Sequence, residues 1–216
     1  MRAARMSIEE VENPMAAGTT TRRPRRTQAE RTATTRAALL GAARELFAER
    51  GFANTGREDI AERAGVTRGA LYHHFASKAE VAAAVVAELD AELVEHVVAA
   101  ARAGTTAYDQ LRRSCRAYID ACAEPAIARI LADAPSVLGM QEWRASSESC
   151  VPLLEAALAN LAREGVDVPG EPRFAAVLVL GMLNEAALSV ASAPKPPVAR
   201  RQANATVEAF LEKLLT

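Results

Sequence analysis

Aromatic side chains are scarce in this sequence: one Trp, three Tyr and five Phe supply 4% of its 216 residues. Sheets draw on aromatic and β-branched residues, so this scarcity, set beside abundant Ala, Leu, Glu and Arg, argues for helices. Cysteine is nearly absent too. Cys115, Cys122 and Cys150 are odd in number and widely spaced, unlike a disulfide framework. The longest uninterrupted apolar run, "FAAVLVLGML" at 174–183, has ten residues, short of the roughly 18 that a membrane span needs. No secretory signal precedes it. These absences predict a cytoplasmic protein with no membrane partner. Also missing are a nucleophile beside a base, metal-ligand spacing and a phosphate-binding glycine loop, so no catalytic residue, metal or cofactor is expected.

Half of the residues are apolar, enough for a packed core, and the expected fold class is all-α. Net charge is −1, but residues 1–80 hold 14 Arg/Lys against 10 Asp/Glu while residues 81–216 hold 12 against 17. The amino-terminal part is therefore the side suited to an anionic partner, although a few extra arginines on a solvated face give the same count.

Residues 1–26 lack apolar periodicity and end in "RRPRR", the composition of a disordered basic tail. "TQAE" at Thr27 then sets a hydroxyl three residues before a glutamate, the reciprocal capping pattern of a helix start. Leu39, Ala43, Leu46 and Phe47 recur at helical spacing up to a stop at Gly51. The capping pattern returns in "TGRE" at Thr55 and "SKAE" at Ser77. Gly65 suits a left-handed helix end, and Thr67 can cap a further short helix. A long helix is predicted from Ser77 to Gly104, another from "TTAYD", and one with Pro125 in its first turn. A helix or broken pair is predicted between Pro135 and Gly165, interrupted by Pro152. The last two helices are predicted at 172–192 and 198–215. The expected units are a tail (1–26), a smaller unit of short helices (27–76) and a larger helical unit (77–216).

The chemistry concentrates in "IAERAGVTRGALYHHF" at 60–75. Two short helices joined through Gly65 and packed by Ile60, Ala61, Ala64, Val66, Leu71 and Phe75 form a helix-turn-helix. The outward residues of the second helix then suit entry into a DNA major groove by its amino-terminal end. Thr67 offers a hydroxyl beside a helix terminus that attracts phosphate. Arg68 matches the two acceptors of guanine, Gly69 lets the backbone approach, and Ala70 is small enough to meet a thymine methyl. Tyr72, His73 and His74 lie one turn on, where phosphate contacts set register. Adjacent histidines point about 100° apart on a helix and have no third ligand nearby, which argues against a metal.

The segment "GAARELFAERGFANTGREDIAERAGVTRGALYHHFASKAEV" resembles the amino-terminal domain of the tetracycline-repressor (TetR) family of bacterial transcriptional regulators over about residues 31–85. Phe47, Gly51, Phe52, Thr55, Ile60, Ala61, Ala64, Gly65, Val66, Leu71, Tyr72, Phe75 and Lys78 fall in register. The resemblance implies DNA-binding positions at Thr55, Arg57 and Lys78 beside the run from Thr67 to His74. Gly56 departs from the pattern, since members commonly carry a second hydroxyl residue there, which shifts the expected phosphate grip onto Arg57. Glu58 would oppose DNA if it turned outward.

The resemblance further implies that residues from about 80 onward bind a small-molecule effector and form a homodimer through the last two helices. "FAAVLVLGMLNEAALSVA" is apolar nearly all round, and Val207, Phe210, Leu211, Leu214 and Leu215 give the last helix an apolar stripe; a core explains these residues as well as a dimer seam does. Tyr118, Cys122, Met140, Trp143, Phe174, Leu178 and Asn184 supply the mixture expected of a mostly apolar effector pocket. Asn184 and Glu185 are polar groups on an apolar helix and need partners, in a ligand or across a dimer. The resulting expectation is a ligand-responsive regulator, a repressor released from a double-stranded operator by a small molecule. Two rivals stay open: a helical enzyme or small-molecule carrier that retains a helix-turn-helix, and a constitutive DNA-binding protein without effector.

Overall fold

The computed structural model describes residues 27–215, and all regular elements among them are helices. The basic tail expected at 1–26 lies outside the described residues. In chain order the α-helices are α1 (Gln28–Arg50), α2 (Arg57–Arg63), α3 (Arg68–His74), α4 (Lys78–Arg102), α5 (Ala107–Cys122), α6 (Pro125–Leu138), α7 (Met140–Ser147), α8 (Val151–Arg163), α9 (Pro172–Ala191) and α10 (Pro196–Leu214); a single 3-10 turn, Glu148–Cys150, joins α7 to α8.

Capping chemistry starts α1 as the sequence implies: Thr27 Oγ1 accepts from the Glu30 amide at 3.2 Å, and Glu30 Oε2 accepts from the Thr27 amide at 2.7 Å. Ser77 caps α4 through the Glu80 amide at 3.0 Å, but the Glu80 carboxylate reaches one residue further back, to the Ala76 amide at 2.6 Å. At the second start the "TGRE" pattern misleads. Gly56 occupies the cap, with Asp59 Oδ2 accepting from its amide at 2.9 Å. Thr55 is turned inward instead, and its hydroxyl lies 2.9 Å from the Gly51 carbonyl.

Leu39, Ala43, Leu46 and Phe47 form the buried stripe of α1, against which Ile60 and Ala61 of α2 and Leu71 of α3 pack. The turn between α2 and α3 needs a left-handed residue, and Gly65 supplies it at φ 66°. From there α4 carries the chain away over 25 residues, about 37 Å at 1.5 Å per residue. Its Val81, Val85 and Leu89 keep one face inside. Gly104 then permits a tight corner, since a Cβ there would sit 2.6 Å from the Gln110 backbone nitrogen.

Helices α5, α8, α9 and α10 pack with α4 and α6 into one core continuous with that of α1. Pro135 does not open a helix as expected; it sits inside the last turn of α6, and the interruption falls at Gly139, with φ 86°. Pro152 does restart the chain, in the first turn of α8. By length and composition α9 is apolar enough to cross a membrane, although its uninterrupted apolar run, 174–183, is only ten residues long. Ala176, Val179, Leu180, Leu183, Ala187 and Val190 of that helix are nonetheless buried in the helical core.

Candidate DNA interface and effector cavity

The turn Gly65 to Thr67 points α3 outward by its leading end. Thr67 takes extended backbone angles and caps α3, its Oγ1 accepting from the Ala70 amide at 3.2 Å. That hydroxyl keeps its own proton to donate. Arg68 and Gly69 follow, both exposed, whereas Ala70 is half-buried. Leu71 and Phe75 are the buried anchors that fix this orientation.

One turn on, Tyr72 is 45% exposed and its hydroxyl donates to Glu58 Oε1 at 3.3 Å. The Arg57 guanidinium lies 4.4 Å over the same ring and donates to the Ala76 carbonyl at 3.1 Å. A short polar strip from α2 to α3 is thereby pre-ordered. Because Asp59 and not Glu58 serves the Gly56 cap, the Glu58 carboxylate faces outward, held below its usual range by backbone hydrogen bonding and by Tyr72, Arg68 and Arg57. It moderates the positive charge beside α3.

His73 is exposed and His74 half-buried. Burial, aided by the neighbouring His73 and Arg36 charges, lowers the His74 pKa and favours its neutral form. Arg36 is a basic residue of this surface that the sequence reading passed over. Its guanidinium lies 4.5 Å above the Phe75 ring at the end of α3, although the two are far apart in sequence.

Two expected DNA contacts sit differently from the rest. Thr55 is 1% exposed, with its hydroxyl directed at the Gly51 and Leu46 carbonyls, so it cannot reach a phosphate and acts as an internal tie. Lys78 is half-buried; its ammonium donates to the Phe52 and Thr55 carbonyls at 2.8 and 3.0 Å and lies 4.1 Å over the Phe52 ring. It joins the α1–α2 loop to the start of α4.

The expected effector residues divide into two sets. Tyr118, Cys122, Trp143 and Asn184 gather around one small internal void, where the Tyr118 hydroxyl donates to Asn184 Oδ1. That bond satisfies a polar group on an otherwise apolar helix. Burial pushes the Tyr118 hydroxyl pKa up and the Cys122 thiol to about 12, with Cys115 likewise at about 12. Protonated thiols in such surroundings are poor nucleophiles. Met140, Phe174 and Leu178 do not join this set: they are 54%, 64% and 60% exposed. The periodicity of α9 marked Phe174 and Leu178 as apolar but not which face they occupy, and the inward face belongs to Ala176, Val179, Leu180 and Leu183. With Val177 they lie outward on α9, as Phe210 and Leu214 do on α10.

A cleft of about 380 Å³ opens elsewhere, among α4, α5 and α6. Of the expected effector residues only Cys122 lines it. Sequence periodicity gave no signal for this cleft, because its walls come from three helices whose apolar residues look like ordinary core. The same helix α6 that lends Ile127 and Leu131 to it also holds the DNA-binding unit. Asp133 Oδ2 accepts from the Phe52 amide at 2.9 Å, and Ile130 and Ala134 line a void shared with Phe47 and Phe52.

Two family models match the chain. "Bacterial regulatory proteins, tetR family" matches residues 39–85, and "Tetracyclin repressor-like, C-terminal domain" matches residues 108–214. A TetR-family transcriptional regulator of Pectobacterium atrosepticum, known by its crystal structure, is 38% identical with a TM-score of 0.77, over 88% of this chain and 98% of that one. Curated relatives match over shorter segments. The transcriptional activator FasR of Mycolicibacterium smegmatis is 41% identical over 85 residues, and the transcriptional regulator TtgR of Pseudomonas putida 53% over 55. These alignments span 39% of FasR and 26% of TtgR, and the same shares of this chain.

Proposed function

This chain belongs to the TetR family of bacterial transcriptional regulators, and from that premise we propose that it is a homodimeric, sequence-specific DNA-binding protein whose operator affinity is set by a small molecule. The carrying observation is the exposed leading turn of α3, where Thr67, Arg68 and Gly69 stand clear of the core while Leu71 and Phe75 anchor the helix. In this reading Arg68 reads a base. Thr67, Arg57, Tyr72 and His73 grip phosphates, and Arg36 adds a cation at the far end of the helix. Ala70 and His74, half-buried, contribute less surface than expected, and Lys78 acts chiefly by holding the loop that leads into α2 and Arg57.

Dimerisation is assigned to the outward face of α9 and α10. Phe174, Val177, Leu178, Phe210 and Leu214 are large apolar residues exposed on these two helices, which pack against each other, and clustered exposed apolar residues mark an interaction site. Two copies joined so would present two α3 helices to half-sites about one helical turn, roughly 34–36 Å, apart. Control by a ligand follows from the sharing of α4 and α6 between the 380 Å³ cleft and the DNA-binding unit. A ligand that binds the cleft better in a subunit arrangement mismatched to that spacing releases the operator. In this reading the protein works in the cytoplasm, where a bacterial operator lies.

Footprinting of the purified full chain on genomic DNA tests the reading. Protection of a site with two-fold symmetry, weakening steeply with salt, is expected; affinity for no duplex would refute it.

A further inference from the structure

The cleft among α4, α5 and α6 is lined by apolar side chains together with carboxylates. Leu89 and Leu93 of α4 face Ile127 and Leu131 of α6 across it, while Asp90, Asp120 and Glu124 are among its remaining lining residues. Its volume of about 380 Å³ lies within the range of small-molecule sites, about 300–1,000 Å³. No Arg or Lys lines it.

The acidic groups are not equivalent. Glu92, also in the lining, is neutralised by Arg44, which donates to both of its oxygens at 2.5 and 2.8 Å. Asp120 accepts from Asn204 Nδ2 at 2.9 Å and has Arg116 and Arg200 at 3.7 Å. Glu124 stands at the mouth as the cap residue of α6, makes no side-chain cap bond and enters no ion pair among the described residues. Asp90 lies close enough to Cys122 for its charge to add to burial in raising that thiol.

We propose that this cleft binds a lipophilic organic cation, its apolar body against Leu89, Leu93, Ile127 and Leu131 and its charge beside Glu124. An apolar lining of low polarity strengthens the attraction of nearby carboxylates for a poorly hydrated cation and repels an anion of the same shape. An inorganic cation gains nothing from that lining and keeps its water. As the effector site, the cleft rests on the regulator reading above; as a binding site, it stands alone.

Tetraphenylphosphonium and tetraphenylborate are nearly isosteric ions of opposite charge, and titration calorimetry of each into the full chain, in sodium buffer without DNA, separates shape from charge. One tetraphenylphosphonium per chain is expected, bound at least about ten-fold tighter than tetraphenylborate. Glu124→Gln should weaken the cation several-fold and leave tetraphenylborate no weaker, while Ile127→Trp, which fills the cleft, should abolish both. Equal affinity for the two ions in the wild-type protein overturns the proposal, whatever the folding of either variant. So does undiminished cation binding in a folded Glu124→Gln, or failure to bind tetraphenylphosphonium by protein that still footprints its operator. That last outcome leaves the regulator reading intact. Binding of the cation by protein with no DNA affinity would retain the site and sink the regulator reading instead.

Discussion

Arg68 and Lys78 are both basic residues flanking one short helix, yet their surroundings assign them different tasks. Arg68 is exposed at the first position of α3. Arg68→Ala should therefore cost about 1–3 kcal/mol on the specific site and relax preference at one base pair, read by binding to a library of single-base variants of the site. Lys78 has its ammonium engaged by two carbonyls and an aromatic face. Lys78→Ala removes the ammonium donor from both part-buried carbonyls and leaves the Phe52 carbonyl only the Thr55 amide, and a loss of stability of about 1–3 kcal/mol is expected, measured by urea unfolding. A stability unchanged in Lys78→Ala would return this residue to the role of a free phosphate contact. For the cysteines, burial that raises Cys115 and Cys122 to about 12 predicts very slow alkylation of both at pH 8, with rapid reaction once the chain is unfolded. Mass spectrometry of the alkylated peptides checks this.

Among the elements, α6 holds the position between cleft and DNA-binding unit. Its Asp133 carboxylate accepts from the Phe52 amide, joining partners 81 residues apart in sequence. Asp133→Ala removes the acceptor and should cost about 1–3 kcal/mol of stability through an unpaired part-buried amide. It should also reduce the change in DNA affinity that a cleft ligand produces, which titration of DNA with and without tetraphenylphosphonium measures. The capping patterns had placed the starts of α1 and α4 correctly because cap and partner are three residues apart. They failed at α2, where Asp59 was an equal competitor to Glu58 and the choice turned on the burial of Thr55, which no local pattern carries. Pro135 misled for a related reason: a helix can retain a proline in its last turn when packing on both sides holds it.

On the scale of the whole molecule, the exposed apolar residues of α9 and α10 carry the expected assembly. Phe210→Asp combined with Leu178→Asp places charges on that face and should convert dimer to monomer, read by sedimentation, with operator affinity lost because two half-sites are no longer engaged together. Unaltered sedimentation would move the interface elsewhere.

Taken by itself, the sequence determined that the chain is helical, where most helices begin and end, and that residues 60–75 form a helix-turn-helix. Periodicity, capping and a left-handed glycine act within a few residues, so they are written locally. Which face of α9 turns inward, that Thr55 is an internal tie while Arg36 stacks on Phe75, and that a cleft lies among α4, α5 and α6 were decided only by tertiary structure. Each depends on which helices lie beside one another, and burial of apolar surface, being non-directional, chooses among those neighbours only when the whole chain has packed.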